Sequence, residues 1–204
     1  IKVSKLTCAD VSSSAVKVAL AFGKTDGLDA PVVDYIRAHD LYGEYKKITD
    51  RYGEFNMKPE RIEHTFGATV TGIKLAKLNG VKVDDAVRAL LLHDIGKYAT
   101  DEMLSCYGIE VPEEVKALPP SVQHAPIGAL IAEKAFKIRK KSILDAISYH
   151  TTGKPKMSKL ARVVFMADFI EPGRTFSHVD ELRAVTFRKL DLGVEAGLKR
   201  AIAH

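Results

Sequence analysis

The sequence predicts a mostly α-helical fold with a small α/β fragment at its start, on three observations. From about residue 57 onward, apolar residues recur every three or four positions. The segments that carry this period are divided by Gly- and Pro-bearing stretches that stop helices. The 204 residues are 46% hydrophobic and 28% charged, which supplies a core for one medium domain with a smaller appendage and argues against disorder.

The elements follow in order. "IKVSKLTCADVSSSAV" fits a short strand, a polar turn and a helix capped by one of its serines. "APVVDYIRAHDLYGEYKKI" reads as one helix and "DRYGEFN" as a connector, which places a boundary near residue 50 and divides the chain into residues 1–50 and 51–204. "KPERIEHTFGATVTGIKLAKLNG" has Pro59 in a first-turn position and Gly80 as its stop. "DDAVRALLLHDIGKY" follows, with Asp84 as the expected N-cap. The Pro-rich "ALPPSVQHAP" is expected to be a loop. "APIGALIAEKAF", "KSILDAISYH", "MSKLARVVFMADFIEP", "VDELRAVTFRKL" and "LGVEAGLKRAIAH" read as further helices.

Composition excludes several classes. No apolar stretch approaches the roughly 20 residues needed to span a bilayer, and the N-terminus lacks the pattern of a signal peptide, so a soluble protein without a membrane partner is expected. The net charge of +5 comes from basic residues scattered among acids, so nucleic acid is not an expected partner. Cys8 and Cys106 match no zinc or redox spacing, which points to reduced thiols and a cytoplasmic location, with Cys106 packed as a small hydrophobe. The chain begins at Ile1 without a methionine, which suggests that it is part of something longer.

Of seven histidines, His64, His93, His124 and His150 sit in or beside helical segments with apolar neighbours, and Asp94 and Asp168 share that setting. One such histidine alone is more often a hydrogen-bonded structural residue than a ligand. The aspartates are harder to dismiss, because a buried carboxylate without a cation is costly. One arrangement satisfies all six: they converge from five helical segments on a pair of divalent metal ions, for which neutral imidazoles and ionised carboxylates are suitable ligands. His93 and Asp94 are adjacent, about 100° apart on a helix, so both reach one site only if it lies over a helix end. Gly96 is consistent with that end.

In order and context these six residues resemble the histidine and aspartate pattern of the HD-domain phosphohydrolases. More narrowly, "RIEHTFGATVTGIKLAKLNGV", "LLLHDIGKYA", "QHAPIGALIA" and the block from His150 to Arg183 resemble the bacterial YqeK family, the symmetrical diadenosine tetraphosphate hydrolases. The likeness implies an HD-domain helical bundle over residues 51–204 with a dinuclear centre. Iron is the first expectation for it, with manganese or zinc as alternatives, and a metal-activated hydroxide would cleave the substrate to two ADP. By position, His64, His93, Asp94 and Asp168 would bind one ion, and Asp94, His124 and His150 the other, with Asp94 bridging. Asp94 and Lys97 are the catalytic candidates. Lys97, Arg174, Thr151, Thr152 and Gly153 are the candidates for contact with the dinucleoside polyphosphate. Lys97 also reads as a helix-end charge, Arg174 as a partner of Glu171 or Asp180, and Arg183 as a structural ion-pair residue. His178 and His204 read as surface residues. The likeness also implies a homodimer.

"ADVSSSAVKVALAFGKTDGLDAPVVDYIRAHDLYGEY" resembles the C-terminal end of bacterial nicotinate mononucleotide adenylyltransferases, with Ser12, Ser13, Ser14 and Lys17 at the positions that bind ATP phosphates there. The same serines serve equally as helix caps, and Lys17 stands where that family usually has arginine. The preceding nucleotide-binding sheet is not in this sequence. The expectation is the trailing part of an adenylyltransferase–hydrolase fusion. Rival readings are another HD nucleotidase, a cyclic-dinucleotide phosphodiesterase, and a nucleotide sensor without turnover.

Overall fold

Ser12 starts the described chain: its Oγ accepts from the Ala15 amide at 3.2 Å and caps α1 (Ser13–Ala21), as the serine-rich turn predicts. The computed structural model describes residues 12–39 and 41–202, and every regular element among them is helical. The strand expected near Ile1 lies outside the described residues. α2 (Ala30–Ala38) and α3 (Gly43–Thr49) replace the single helix expected between Ala30 and Ile48. α2 closes with His39 as its C-cap, and Tyr42, the N-cap of α3, adopts φ 65°, a left-handed conformation that no continuous helix accommodates. The "DRYGEFN" connector is a turn of 3₁₀-helix, Tyr52–Phe55, whose two aromatic ends are buried.

Pro59 opens α4 (Pro59–Leu78), where its missing N–H costs nothing, and Gly80 follows the end of that helix with φ 65°. α5 (Val83–Leu92) follows. Asp84 is not its cap, because the helix already includes Val83. The Asp84 carboxylate instead accepts from Arg88 Nε at 2.9 Å and from the Tyr45 hydroxyl at 3.0 Å. Two short helices escape the periodicity argument, α6 (Asp101–Cys106) and α7 (Glu113–Lys116), since four to six residues are too few to show a period. Cys106 is exposed, contrary to expectation, and Leu104 takes the buried place on that helix.

α8 (Pro120–Lys134) corrects the loop expected over "ALPPSVQHAP". Pro120 is a favourable first helical residue, and Pro126 lies inside the helix, so prolines that read as breakers mark a start and a tolerated interruption. α9 (Lys141–Ser148), α10 (Lys159–Ile170), α11 (Val179–Arg188) and α12 (Leu190–Ile202) complete the order.

α10 is the axis of the bundle. It buries Leu160, Ala161, Val163, Val164, Phe165, Met166, Ala167 and Ile170, so apolar residues cover most of its circumference, as expected for a helix surrounded by others. It packs against α4, α5, α9 and α12, while α4 also lies along α5 and α8 along α9. Each large apolar side chain fully buried here contributes about 1.5–3 kcal/mol relative to exposure. Val18, Ala21, Tyr45 and Ile48, from the first fifty residues, belong to the same continuous core. No described helix is long and apolar enough to cross a membrane.

Candidate metal centre

α5 stops at Leu92, and His93 and Asp94 leave from its end, as the adjacency of the pair requires. The stop itself comes before Gly96 is reached. That glycine instead permits a close approach, since a Cβ there would lie 2.5 Å from the His124 carbonyl and 2.7 Å from the Gly128 nitrogen. Gly128 in turn lies against the His93 carbonyl, with 3.2 Å for an added Cβ. Two glycines thus let the turn after α5 press onto α8, which brings His93 and Asp94 beside His124.

Five elements deliver the six predicted groups. His64 comes from α4, His93 and Asp94 from the end of α5, His124 from the second turn of α8, His150 from just past α9, and Asp168 from near the end of α10. Their polar atoms meet. His64 Nε2 is 3.0 Å from Asp168 Oδ1 and 3.3 Å from His93 Nε2. Asp94 Oδ1 is 3.2 Å from His124 Nε2 and 3.6 Å from His150 Nε2, and those two imidazole nitrogens are 3.3 Å apart. Asp94 Oδ2 is 3.4 Å from His93 Nε2 and 3.7 Å from His64 Nε2. One carboxylate therefore faces all four imidazoles. Three overlapping triads have ligand atoms mutually within 4.8 Å: His64, His93 and Asp94; His93, His150 and Asp168; and Asp94, His124 and His150.

The outer ring nitrogens set the tautomers. His93 Nδ1 lies 2.7 Å from the Leu90 carbonyl and His150 Nδ1 2.8 Å from the Ile147 carbonyl, so both must donate. His64 Nδ1 is 3.2 Å from Glu171 Oε1 and donates likewise. In the neutral imidazoles Nε2 then carries a lone pair, and these lone pairs face one another and two carboxylates. Such an array needs positive charge among its members, an imidazolium or a bound ion, and its donor chemistry, imidazole nitrogen and carboxylate oxygen, suits a divalent transition metal. The residues fit the group.

The surrounding groups keep both site carboxylates ionised. Burial works to raise the Asp94 pKa, but His93, His124 and His150 outweigh it and hold the carboxyl well below the usual range. Asp168 follows the same pattern: burial is opposed by His64, His93, His150 and Arg174, and the pKa is lowered. Burial pushes His124 down, towards the neutral ligand form.

Arg174 donates to Asp168 Oδ1 at 2.6 Å and lies 3.8 Å from Glu171, so of its two expected structural partners it takes Glu171 and not Asp180. Arg183 pairs with Asp180 and also donates to the carbonyls of Ile170, Glu171 and Arg174. Lys97 is exposed, in the turn after Asp94, and its charge is felt at His124. The three loop candidates separate. Thr151 Oγ1 is buried with no hydrogen-bond partner, Thr152 donates to the Gly153 carbonyl at 3.1 Å, and the Gly153 amide is already bonded to the Tyr149 carbonyl at 2.9 Å. Gly153 thus has no free donor; its φ of 62° makes it a turn residue. His178 is exposed and faces Glu181, and His204 lies outside the described residues.

Sequence reasoning missed Arg61. Its Nη1 donates to Asp94 Oδ2 at 2.9 Å, and its Nε is buried without a partner. The signal was available, since Arg61 precedes His64 by three residues and shares its face of α4. Glu171 was seen only as a partner for Arg174. It is buried, accepts from the Gly173 amide at 2.6 Å, and orients His64.

A sequence profile described as the HD domain matches residues 61–173. The symmetrical bis(5'-nucleosyl)-tetraphosphatase of Bacillus subtilis (strain 168) is 35% identical over 144 residues, 70% of this chain and 77% of its own length. This chain belongs to the HD-domain family of the symmetrical bis(5'-nucleosyl)-tetraphosphatases. A crystal structure described as a predicted HD superfamily hydrolase involved in NAD metabolism, from Clostridium acetobutylicum, superposes with a TM-score of 0.65 at 32% identity. The match covers 78% of this chain and 86% of that one. A Mycoplasma pneumoniae protein named as a probable nicotinate-nucleotide adenylyltransferase/Ap4A hydrolase is 26% identical over 170 residues, which is 81% of this chain and 47% of that longer protein. The likeness to HD-domain enzymes thus extends from sequence motif to three-dimensional fold.

Proposed function

We propose that this chain hydrolyses diadenosine tetraphosphate symmetrically, to two ADP. It would do so with two divalent ions, iron first and manganese or zinc as alternatives. His64, His93, Asp94 and Asp168 would hold one ion, and Asp94, His124 and His150 the other, with Asp94 shared. The observation that carries this reading is the meeting of four histidine Nε2 atoms around the Asp94 carboxylate, three of them fixed as lone-pair donors by acceptors on their far side. Bound divalent ions supply Lewis acidity and acidify water at neutral pH.

The chain's own residues do the rest. Asp94 offers one oxygen to each half of the cluster, as a bridging carboxylate must. Glu171 holds His64 in the tautomer that turns Nε2 inwards. Arg61 and Arg174 stand beside the two site carboxylates and border one cleft of about 820 Å³, where each has donors to turn towards phosphate oxygens. Lys97 adds positive charge on the α5 side, and Thr151 has an uncommitted hydroxyl.

The same reading makes residues 1–50 the end of an adenylyltransferase-like unit, supported by the double name of the Mycoplasma relative. It also includes a homodimer and a cytoplasmic location. The test is metal content and diadenosine tetraphosphate turnover in the wild type beside Asp94→Ala. Both are expected to fall in the variant, turnover by on the order of 10³-fold or more, with the helical circular dichroism signal retained. A fully active variant overturns the ligand assignment. Wild-type products other than ADP redirect the substrate to another nucleotide class, and binding without turnover in added iron or manganese leaves a sensor.

A further inference from the structure

The cleft that holds Arg61, His64 and Arg174 continues along α4 over Glu63, Phe66 and Val70. Those last three are spaced to share one helical face. The segment before the HD-domain match touches that face. Phe22 meets Phe66 edge-on with ring centroids 5.3 Å apart, Lys24 Nζ lies 4.9 Å from the centre of the Phe66 ring, and Lys24 donates to Glu63 Oε1 at 3.0 Å. Lys24 is placed there by its backbone. Gly23, at φ 71°, donates to the Leu20 carbonyl, and the Lys24 amide donates to the Ala19 carbonyl at 2.9 Å, the paired bonds that close a helix C-terminus through a left-handed residue.

An ion pair this exposed adds little to stability, the Glu63 side chain being 65% accessible. Its position gives it another consequence. A polyphosphate entering the cleft passes the rim formed by Glu60 and Glu63, and an uncancelled carboxylate there repels it over the roughly 8 Å reach of charge at physiological salt. We propose that Lys24 is a substrate-positioning residue of the hydrolase site: it cancels the Glu63 charge at the rim and steadies the Phe66 ring as part of the cleft wall. The HD-domain site thereby takes part of its polyanion selectivity from a segment that precedes residue 61. This rests on the reading of the substrate as a dinucleoside polyphosphate.

The experiment measures kcat and KM for diadenosine tetraphosphate at low and high salt, with thermal melts, for the wild type, Lys24→Ala, Glu63→Gln and the double variant. Lys199→Ala, on α12, controls for loss of a surface charge. Lys24→Ala should raise KM about 3–10-fold at low salt with kcat within about twofold. Glu63→Gln in the same chain should restore KM, and about 0.5 M salt should erase the difference. Lys199→Ala should leave KM alone. An unchanged KM in Lys24→Ala, with or without a lowered melting temperature, overturns the proposal, as does a double variant no better than Lys24→Ala. A wild type that does not turn over the tetraphosphate fails the substrate assignment, a different outcome from a wild type that does so while Lys24→Ala matches it.

Discussion

Helices α1 to α3 and the helices from α4 onward share one core but treat polar groups in opposite ways. In the first region, buried positions such as Val18, Ala21, Val33 and Ile48 are apolar, and polar contacts lie near the surface. In the second, His93, Asp94, His124, His150 and Glu171 are buried together. That is an arrangement with a desolvation cost that no packing gain explains and that a bound cation would offset. Function shows as the place where a fold departs from what stability alone would select. The first region serves as a support. Tyr45 reaches Asp84 on α5, and the Thr49 hydroxyl donates to the Ala21 carbonyl at 2.7 Å, which ties the end of α1 to α3.

Substitutions that disturb the close approach in the second region should have the largest effect. Gly96→Ala drives a methyl group into the backbone of α8 and is expected to destabilise the protein by about 1–3 kcal/mol and to reduce bound metal. Denaturant unfolding and metal analysis check both, and a variant that keeps its stability and metal would show that the two backbones have room to part. Glu171→Gln leaves the fold in place but weakens the hold on His64. Metal affinity should fall about 10–100-fold in a competition titration, whereas an unchanged affinity would demote Glu171 to a loop residue.

The smallest effect belongs to the contact between the regions. Tyr45→Phe removes a hydrogen bond to a carboxylate and should cost about 1–2 kcal/mol, with turnover retained. The pH dependence has a definite sign. Burial raises the Asp84 pKa, but the bonds from Arg88 and Tyr45 outweigh it, and the folded value lies below 3.8. The stability this adds is fully present above 3.8 and is lost as pH falls through the lowered folded value. Unfolding followed from pH 7 downward should therefore show a smaller acid-dependent loss in Tyr45→Phe; identical acid limbs would mean that Arg88 alone sets the shift.

Much of this was legible in the residues themselves. The 3.6-residue period located α4, α5, α9 and α10, and Ser12 capped α1 as a serine at a polar turn should. All six histidines and aspartates expected to converge do so, because two ionisable groups at the end of an apolar run have few inexpensive alternatives. α8 was misread because proline at a helix start and proline in a loop look alike in one dimension. Arg61 and Glu171 were missed as site residues because each acts through a neighbour distant in sequence, Asp94 and His64.

The helical class and the set of converging side chains could be read from residue type and local spacing, and the family from the likeness of the histidine and aspartate motifs to known ones. That Gly96 and Gly128 let two backbones touch, that Gly153 has no amide to offer, and that Lys24 lies beside Glu63 emerges from the packed helices alone. Contacts of that kind depend on how helices pack against one another, and packing is a property of surfaces meeting in space that no single segment encodes.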